Sequence, residues 1–505
     1  MRLLPVLFVL LAGLAQALAI GAPWNGQPLW WLQILSLAAL AWQLQAAASW
    51  QRAALLGWLF ATAWLSATFW WLFISMHTYG GLAAPLAVIA VLGLAAFLAS
   101  YYALVCGLFR AIARVPACSS AIVFAALWML AELMRVTWFT GFPWGAGGYA
   151  HVQGPLAFLA PWIGVHGIGL VAAGLAFLLA QLPLLKRSRG GWAGVAVLAV
   201  LLAAGNLLDR DASDAGPVMS VALLQGNIPQ DEKFQGGTGV PLALNWYGEQ
   251  LRQSTATLVV APETAIPLLP SQLPEGYLSV IGQHFGKGSQ AALLGIPLGS
   301  FTEGYTNSVI GLRPGGALYR YDKHHLVPFG EFIPPLFRWF TELMHIPLGD
   351  FNRGAVGQAS FDWQGQRLAP NICYEDLFGE ELGARFADPA TAPTMFVNVS
   401  NIGWFGNSVA IDQHLLISRM RAIEFSRPML RATNTGATVI IDHRGVVTHQ
   451  LPRHTRGVLS GEVQGRTGIT PYAWWVARLG LWPLWGLGLA VAGLAWLSRR
   501  GHRRH

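Results

Sequence analysis

Eight runs of this chain are long and apolar enough to cross a bilayer, which takes about 17–25 such residues. They fall near 3–20, 29–48, 54–76, 82–109, 119–139, 155–184, 191–208 and 472–497. No other feature constrains the fold as much, because a spanning segment must satisfy its backbone internally and is therefore helical. Composition enters as support: 54% of residues are apolar and 11% charged, against about 25% charged in soluble domains. The first run follows Arg2 as a signal peptide would, but residues 21–24 lead at once into another apolar run. An uncleaved first span is the expectation.

Lys and Arg set the orientation. One side of the bundle collects Arg2, Arg52, Arg110, Arg114, Lys186, Arg187 and Arg189, together with Arg499, Arg500, Arg503 and Arg504 of the tail. The opposite short loops, near 21–28, 77–81 and 140–154, hold no Lys or Arg. Both termini are therefore expected in the cytoplasm, and the polar segment before the last run outside. Trp24, Trp30, Trp31, Trp138, Trp144, Trp474 and Trp475 gather at the expected outer boundary, as interfacial aromatics do. The net charge of +8 comes from clusters beside apolar runs, so nucleic acid is not an expected partner. The division is then 1–211 for a seven-helix bundle, 212–470 for an exported domain, and 471–505 for an eighth span with a basic tail. Glu132 and Arg135 fall inside the fifth span, three residues apart on one helix face. A pair turned into the bundle is the expectation; a lipid-headgroup site is the alternative.

The exported segment alternates β-rich runs (218–224, 257–261, 291–296, 308–312, 367–372, 394–399, 438–441 and 457–463) with helical patterns at 242–255, 277–285 and 411–427. Such alternation implies a layered α/β domain.

Three polar residues end or follow strand-like runs there: Glu263, Lys323 and Cys373. Ligands collect at strand ends in α/β sheets. Cys106 and Cys118 lie in or beside apolar runs and read as small core residues, whereas Cys373 is the one cysteine of the exported segment. A thiolate can attack an ester carbonyl, a carboxylate can take the thiol proton, and a fixed cation can hold the oxyanion. Residue types at such wide spacing do not by themselves separate this set from ordinary surface and core residues.

The local sequences narrow the choice. Pro262-Glu263-Thr264, the stretch Tyr321-Asp322-Lys323-His324-His325 through Gly330-Glu331, and Asn371-Ile372-Cys373-Tyr374-Glu375 together resemble the nitrilase superfamily. Gln225-Gly226-Asn227-Ile228-Pro229-Gln230, Arg419-Met420-Arg421-Ala422-Ile423-Glu424 and Arg431-Ala432-Thr433-Asn434-Thr435-Gly436 look like its membrane branch, the apolipoprotein N-acyltransferases. The resemblance covers nearly the whole chain. It implies an αββα sandwich, no cofactor and no metal. It also implies ping-pong chemistry at a bacterial inner membrane, with the catalytic domain on the periplasmic side. An acyl chain would pass from a phospholipid, typically phosphatidylethanolamine, to a thioester on Cys373. From there it would go to the α-amino group of a diacylglyceryl-cysteine at an apolipoprotein N-terminus.

Roles follow from the same resemblance. Glu263 would be the general base, Lys323 would stabilise the oxyanion and hold Cys373 as a thiolate, and Glu331 and Glu375 would support them. Tyr374, Trp404, Trp144, Phe337 and Trp339 are candidates to contact substrate. The last two sit in an apolar stretch, 332–348, read either as packing against the bundle or as an arm that dips into the outer leaflet. Adjacent His324 and His325 do not make a metal site. Two other readings compete: a membrane-tethered amidase using the same three residues, and a lipid-binding or transport scaffold with an inactive domain.

Overall fold

A computed structural model of the protein describes residues 3–113, 117–182, 203, 205, 213–300, 302–333 and 351–501. The seventh apolar run apart from residues 203 and 205, the cluster Lys186, Arg187 and Arg189, and the stretch carrying Phe337 and Trp339 lie outside the described residues. The chain forms two compact units. One comprises Met1–Leu72, Ala84–Arg210 and Leu479–His505; the other comprises Phe73–Ala83 and Asp211–Arg478.

The first unit is helical, with Leu3–Ile20, Trp30–Gln45, Trp50–Thr68, Ala84–Ile112, Ala117–Thr137, Ala160–Ala180 and Trp482–Gly501 as its main elements. Lipid supplies no hydrophobic drive between helices, so small residues set how closely they approach. Gly57 shows this: a Cβ there would sit 2.6 Å from Cys106 Sγ and 3.0 Å from the Tyr102 carbonyl. Buried aromatics fill the centre, with Trp64 stacked on Trp128 at 6.0 Å and Tyr102 edge-on to Trp64 at 5.3 Å. Among the described residues four helices are long and apolar enough to span a bilayer, and five if the pair Pro471–Leu479 and Trp482–Arg500 counts as one broken span.

Three expectations need correction. The third apolar run does not continue to residue 76: its helix ends at Thr68, and Ile74–Tyr79 forms a short π-helix that belongs to the second unit. The last run is two helices, broken at Gly480, which takes a left-handed φ of +53°. Pro483, second in the new helix, suits a helix start because its missing N–H would be orphaned there anyway. Glu132 and Arg135 do not pair. Arg135 donates to the carbonyls of Phe142 and Trp144 and to the Tyr102 hydroxyl. Glu132 accepts from the Gly147 amide at 2.9 Å and lies 3.8 Å from His166 Nδ1.

The second unit is a sandwich of two six-stranded sheets, ordered β12-β1-β2-β3-β4-β5 and β11-β10-β9-β8-β7-β6. In chain order the strands are β1 Ala215–Gln225, β2 Leu258–Val260, β3 Ala291–Ser300, β4 Gly304–Leu312, β5 Tyr319–Asp322, β6 Phe361–Trp363, β7 Gln366–Ile372, β8 Met395–Ser400, β9 Met429–Thr433, β10 Val439–Ile441, β11 Val447–Gln450 and β12 Gly457–Arg466. Alternation along each strand divides the burial. Val221, Leu223, Leu258, Val260 and Leu293 face inward, meeting Leu368, Ile372, Val397, Val399 and Leu430 of the opposite sheet. The neighbours Ala222, Leu224, Val259, Ala292 and Leu294 face outward, under the helices Gly239–Gln253 and Tyr277–Lys287. Helix Ala410–Phe425 covers the second sheet, where Phe425 packs edge-on to Phe396 at 5.4 Å. The layers are therefore αββα. The central pairs β1–β2, β2–β3, β7–β8 and β8–β9 are parallel, so successive strands end on the same side and bring their following residues together.

Candidate active site

Glu263, Lys323 and Cys373 each lie just beyond the end of a strand, after β2, β5 and β7. The approach of Glu263 depends on a missing side chain. A Cβ at Gly295 of β3 would lie 2.7 Å from the Glu263 Cα, so only glycine lets the strand end pass. Lys323 continues the ladder past β5, its amide donating to the Asn307 carbonyl at 2.8 Å.

A buried network joins these groups. Lys323 Nζ sits 2.8 Å from Glu331 Oε2 and 3.5 Å from Glu263 Oε1. Asn307 Nδ2 donates to both carboxylates, at 2.7 Å to Glu263 and 2.8 Å to Glu331. The second oxygen of Glu263 accepts from the Asn401 amide at 2.8 Å, and that of Glu331 from the Val327 amide at 2.8 Å. Burial works against the Lys323 charge, but Glu331, Glu263 and Cys373 outweigh it and raise the ammonium's pKa. The lysine is thus a fixed cation set between two carboxylates.

Cys373 adopts φ +53°, a conformation uncommon for a residue with a side chain. The residue stands at a sharp strand-to-helix turn, where β7 ends and a 3-10 turn, Cys373–Leu377, begins. Burial pushes the Cys373 thiol up to about 12, Glu263 adds to the push, and Lys323 pulls the other way without prevailing. A base must take the proton as the sulfur attacks.

Glu375 braces the turn. One oxygen accepts from the Ile372 amide at 2.6 Å and the Tyr321 hydroxyl at 2.8 Å; the other accepts from the His324 amide at 2.7 Å. Tyr374 is buried, its ring edge-on to Phe378 at 5.3 Å. Trp404 is half-buried and meets Tyr79 of the π-helical segment at 5.9 Å, edge to face. Trp144 stands in the first unit, 4.7 Å from Trp71.

Asn307 and Lys233 are absent from the sequence-derived set. Asn307 carries little signal beyond being an amide in an apolar strand. Lys233 follows Gln225–Gln230 by three residues, close enough to a recognised stretch to have been singled out. It is buried, donates to the Glu263 carbonyl at 3.0 Å, and burial lowers its pKa to about 8.

An αββα sandwich with a Glu, a Lys and a Cys at its strand ends defines a carbon-nitrogen hydrolase domain, and residues 220–472 match that family. Residues 12–178 match the apolipoprotein N-acyltransferase N-terminal domain. An apolipoprotein N-acyltransferase from Verminephrobacter eiseniae is 63% identical over 94% of this chain and 93% of its own length. Another, from Ralstonia nicotianae, is 46% identical over 93% and 90%. The chain belongs to the apolipoprotein N-acyltransferase family and is an acyltransferase. Among solved structures, a CN-hydrolase superfamily protein from Xanthomonas campestris is 20% identical, with a TM-score of 0.37 over 52% of this chain and 96% of its own.

Proposed function

We propose that this enzyme N-acylates the diacylglyceryl-cysteine at the N-terminus of apolipoproteins, with a phospholipid, typically phosphatidylethanolamine, as donor and Cys373 as the acyl carrier. The observation that carries the reading is the Lys323 ammonium between two buried carboxylates, in electrostatic reach of a cysteine in a left-handed turn. In the first half-reaction Glu263 takes the thiol proton while Sγ attacks the ester carbonyl. Lys323 faces the oxyanion. As the tetrahedral adduct collapses, the lysophospholipid alkoxide leaves with the proton from Glu263, and a thioester remains. In the second half the acceptor amine attacks the thioester and Glu263 takes its proton. The C–S bond breaks, and the proton returns to Cys373. Glu331 anchors Lys323 through both half-reactions. Tyr374 and Trp404 are proposed to contact substrate; Trp144 of the first unit, and Phe337 and Trp339, which lie outside the described residues, are each proposed for a substrate contact as well.

The setting we propose is eight spans with both termini cytoplasmic and the 212–470 domain on the periplasmic face of the bacterial inner membrane. Residues 1–211, apart from the 73–83 segment, form the bundle, and 471–505 the final, broken span and tail. Confinement to one bilayer surface replaces a three-dimensional search for two anchored substrates, and exclusion of water keeps the thioester from hydrolysis. Reconstituted enzyme with labelled phosphatidylethanolamine and a diacylglyceryl-cysteine peptide tests this. Label on the peptide's α-amino group is expected. Release of free fatty acid alone, or hydrolysis of simple amides without transfer, would support the amidase reading instead.

A further inference from the structure

Behind Cys373 lies a closed circuit of buried polar groups that the chemistry above does not use. Asn371, Asn398 and Arg431 stand side by side at one register across β7, β8 and β9. Helix Ala410–Phe425 lays His414 and Ser418 over this row, and Asp376 comes from the turn after Cys373. Asn371, Asp376, Asn398, Ser418 and Arg431 are fully buried, and His414 is 1% exposed.

The donors and acceptors admit one assignment. Arg431 Nη2 lies 2.7 Å from His414 Nδ1. A guanidinium only donates, so Nδ1 must be the acceptor and the proton of the neutral ring must sit on Nε2. Nε2–H then points at Asp376 Oδ1, 2.9 Å away, and at the Cys373 carbonyl, 3.2 Å away. The Ser418 hydroxyl donates to Asp376 Oδ2 at 2.5 Å and accepts from Arg431 Nη1 at 2.5 Å. Asn398 Nδ2 gives the Cys373 carbonyl its second donor, at 3.2 Å, and also donates to Asn371 Oδ1 at 2.7 Å. Burial and the neighbouring Arg431 both lower the His414 pKa, in keeping with a neutral ring.

We propose that His414, oriented by Arg431, is a positioning residue for the acylation step: its Nε2–H, with Asn398, holds the Cys373 carbonyl and so keeps the nucleophile in its left-handed turn. A left-handed φ at a residue with a side chain persists only when its surroundings over-determine it. Here two donors from different elements fix the carbonyl, and the carboxylate of Glu375 holds the amide one residue before Cys373 at 2.6 Å. Released from the two donors, the peptide plane after Cys373 can rotate, and the left-handed turn that presents the nucleophile loses its anchor. The inference rests on Cys373 being the nucleophile.

Two polar variants of the full-length enzyme test it. His414→Gln can place an N–H where Nε2 stands, whereas His414→Asn reaches only the Nδ1 position. His414→Gln is expected to keep kcat within about threefold of the parent, and His414→Asn to lower it about 10–100-fold with KM unchanged. Reaction of Cys373 with iodoacetamide should fall in parallel with kcat. This readout needs no acyl donor, so it decides the point even if the enzyme forms no thioester. Equal behaviour of the two variants, or a change confined to KM, overturns the proposal. Should neither variant fold, Ser418→Ala removes one atom at the far side of the circuit. A fall in kcat of about threefold at constant KM is expected, and an unchanged kcat overturns the proposal.

Discussion

Lys323 Nζ and Glu331 Oε2 lie 2.8 Å apart with almost no solvent at either group. A buried ion pair of this kind is costly to break from one side, by about 3–5 kcal/mol, because the remaining charge has no water to turn to. In the proposed mechanism Glu331 anchors Lys323, which stands 3.5 Å from Glu263. Glu331→Gln should slow formation of the acyl-enzyme about 100-fold with little change in KM and lower the thermal midpoint. Adding Lys323→Met should restore the midpoint but not the rate. Pre-steady-state labelling and a melting curve on the same preparations check both.

Glu263 acts on Cys373 in two opposite senses. It is the proposed base, yet its charge helps push the thiol pKa up to about 12. Glu263→Gln should therefore cut acyl-enzyme formation by about 10²–10⁴-fold while making Cys373 easier to ionise. Alkylation by iodoacetamide at pH 9 should be faster in the variant than in the parent. A parallel loss of both reactions would place Glu263 in a structural role.

Lys233 gives a prediction with a pH sign. Its folded pKa, about 8, lies below the ordinary 10.5. The folded protein thus sheds this proton earlier than the unfolded chain, so stability rises as pH climbs between those two values. Below that window the cost of burying the charge is fully felt. Lys233→Met should raise stability at pH 7 by up to about 3 kcal/mol, with a smaller gain at pH 10. Acylation should slow about tenfold, because the site loses a cation beside Glu263. Melting curves at the two pH values and single-turnover rates read the two effects.

Asn307→Asp would set a third carboxylate against Glu263 and Glu331, where the amide now donates to both. Like charges at hydrogen-bond distance cannot all remain ionised. The variant should be slower than Asn307→Ala, even though it is closer in shape to the parent. Equal rates would show that the amide only fills space.

Much of this arrangement was legible in the residues, for physical reasons. β1, β3, β7 and β8 announce themselves as apolar runs, and a reactive residue following such a run sits at a sheet end by construction. Legibility failed where side-chain direction or a single backbone angle decides. Helical spacing puts Glu132 and Arg135 on one face, but Arg135 is long enough to reach the carbonyls of Phe142 and Trp144 instead. Those carbonyls lie where the chain has left the helix, and they need a donor more than Glu132 does, since the Gly147 amide already serves it. Gly480 with Pro483 was a readable break, but the apolar character of 472–497 masks it because hydropathy is blind to φ. Asn307 and His414 act across dozens of residues of sequence, and no local pattern marks a side chain whose partners arrive from another strand or helix.

The most direct measurement is the intact mass of the purified enzyme after incubation with a single defined phospholipid. One acyl chain should appear on the protein, be released by neutral hydroxylamine and be absent from Cys373→Ala. An adduct of the same mass on Cys373→Ala, or none on the parent while acyl transfer proceeds, would contradict a thioester on Cys373.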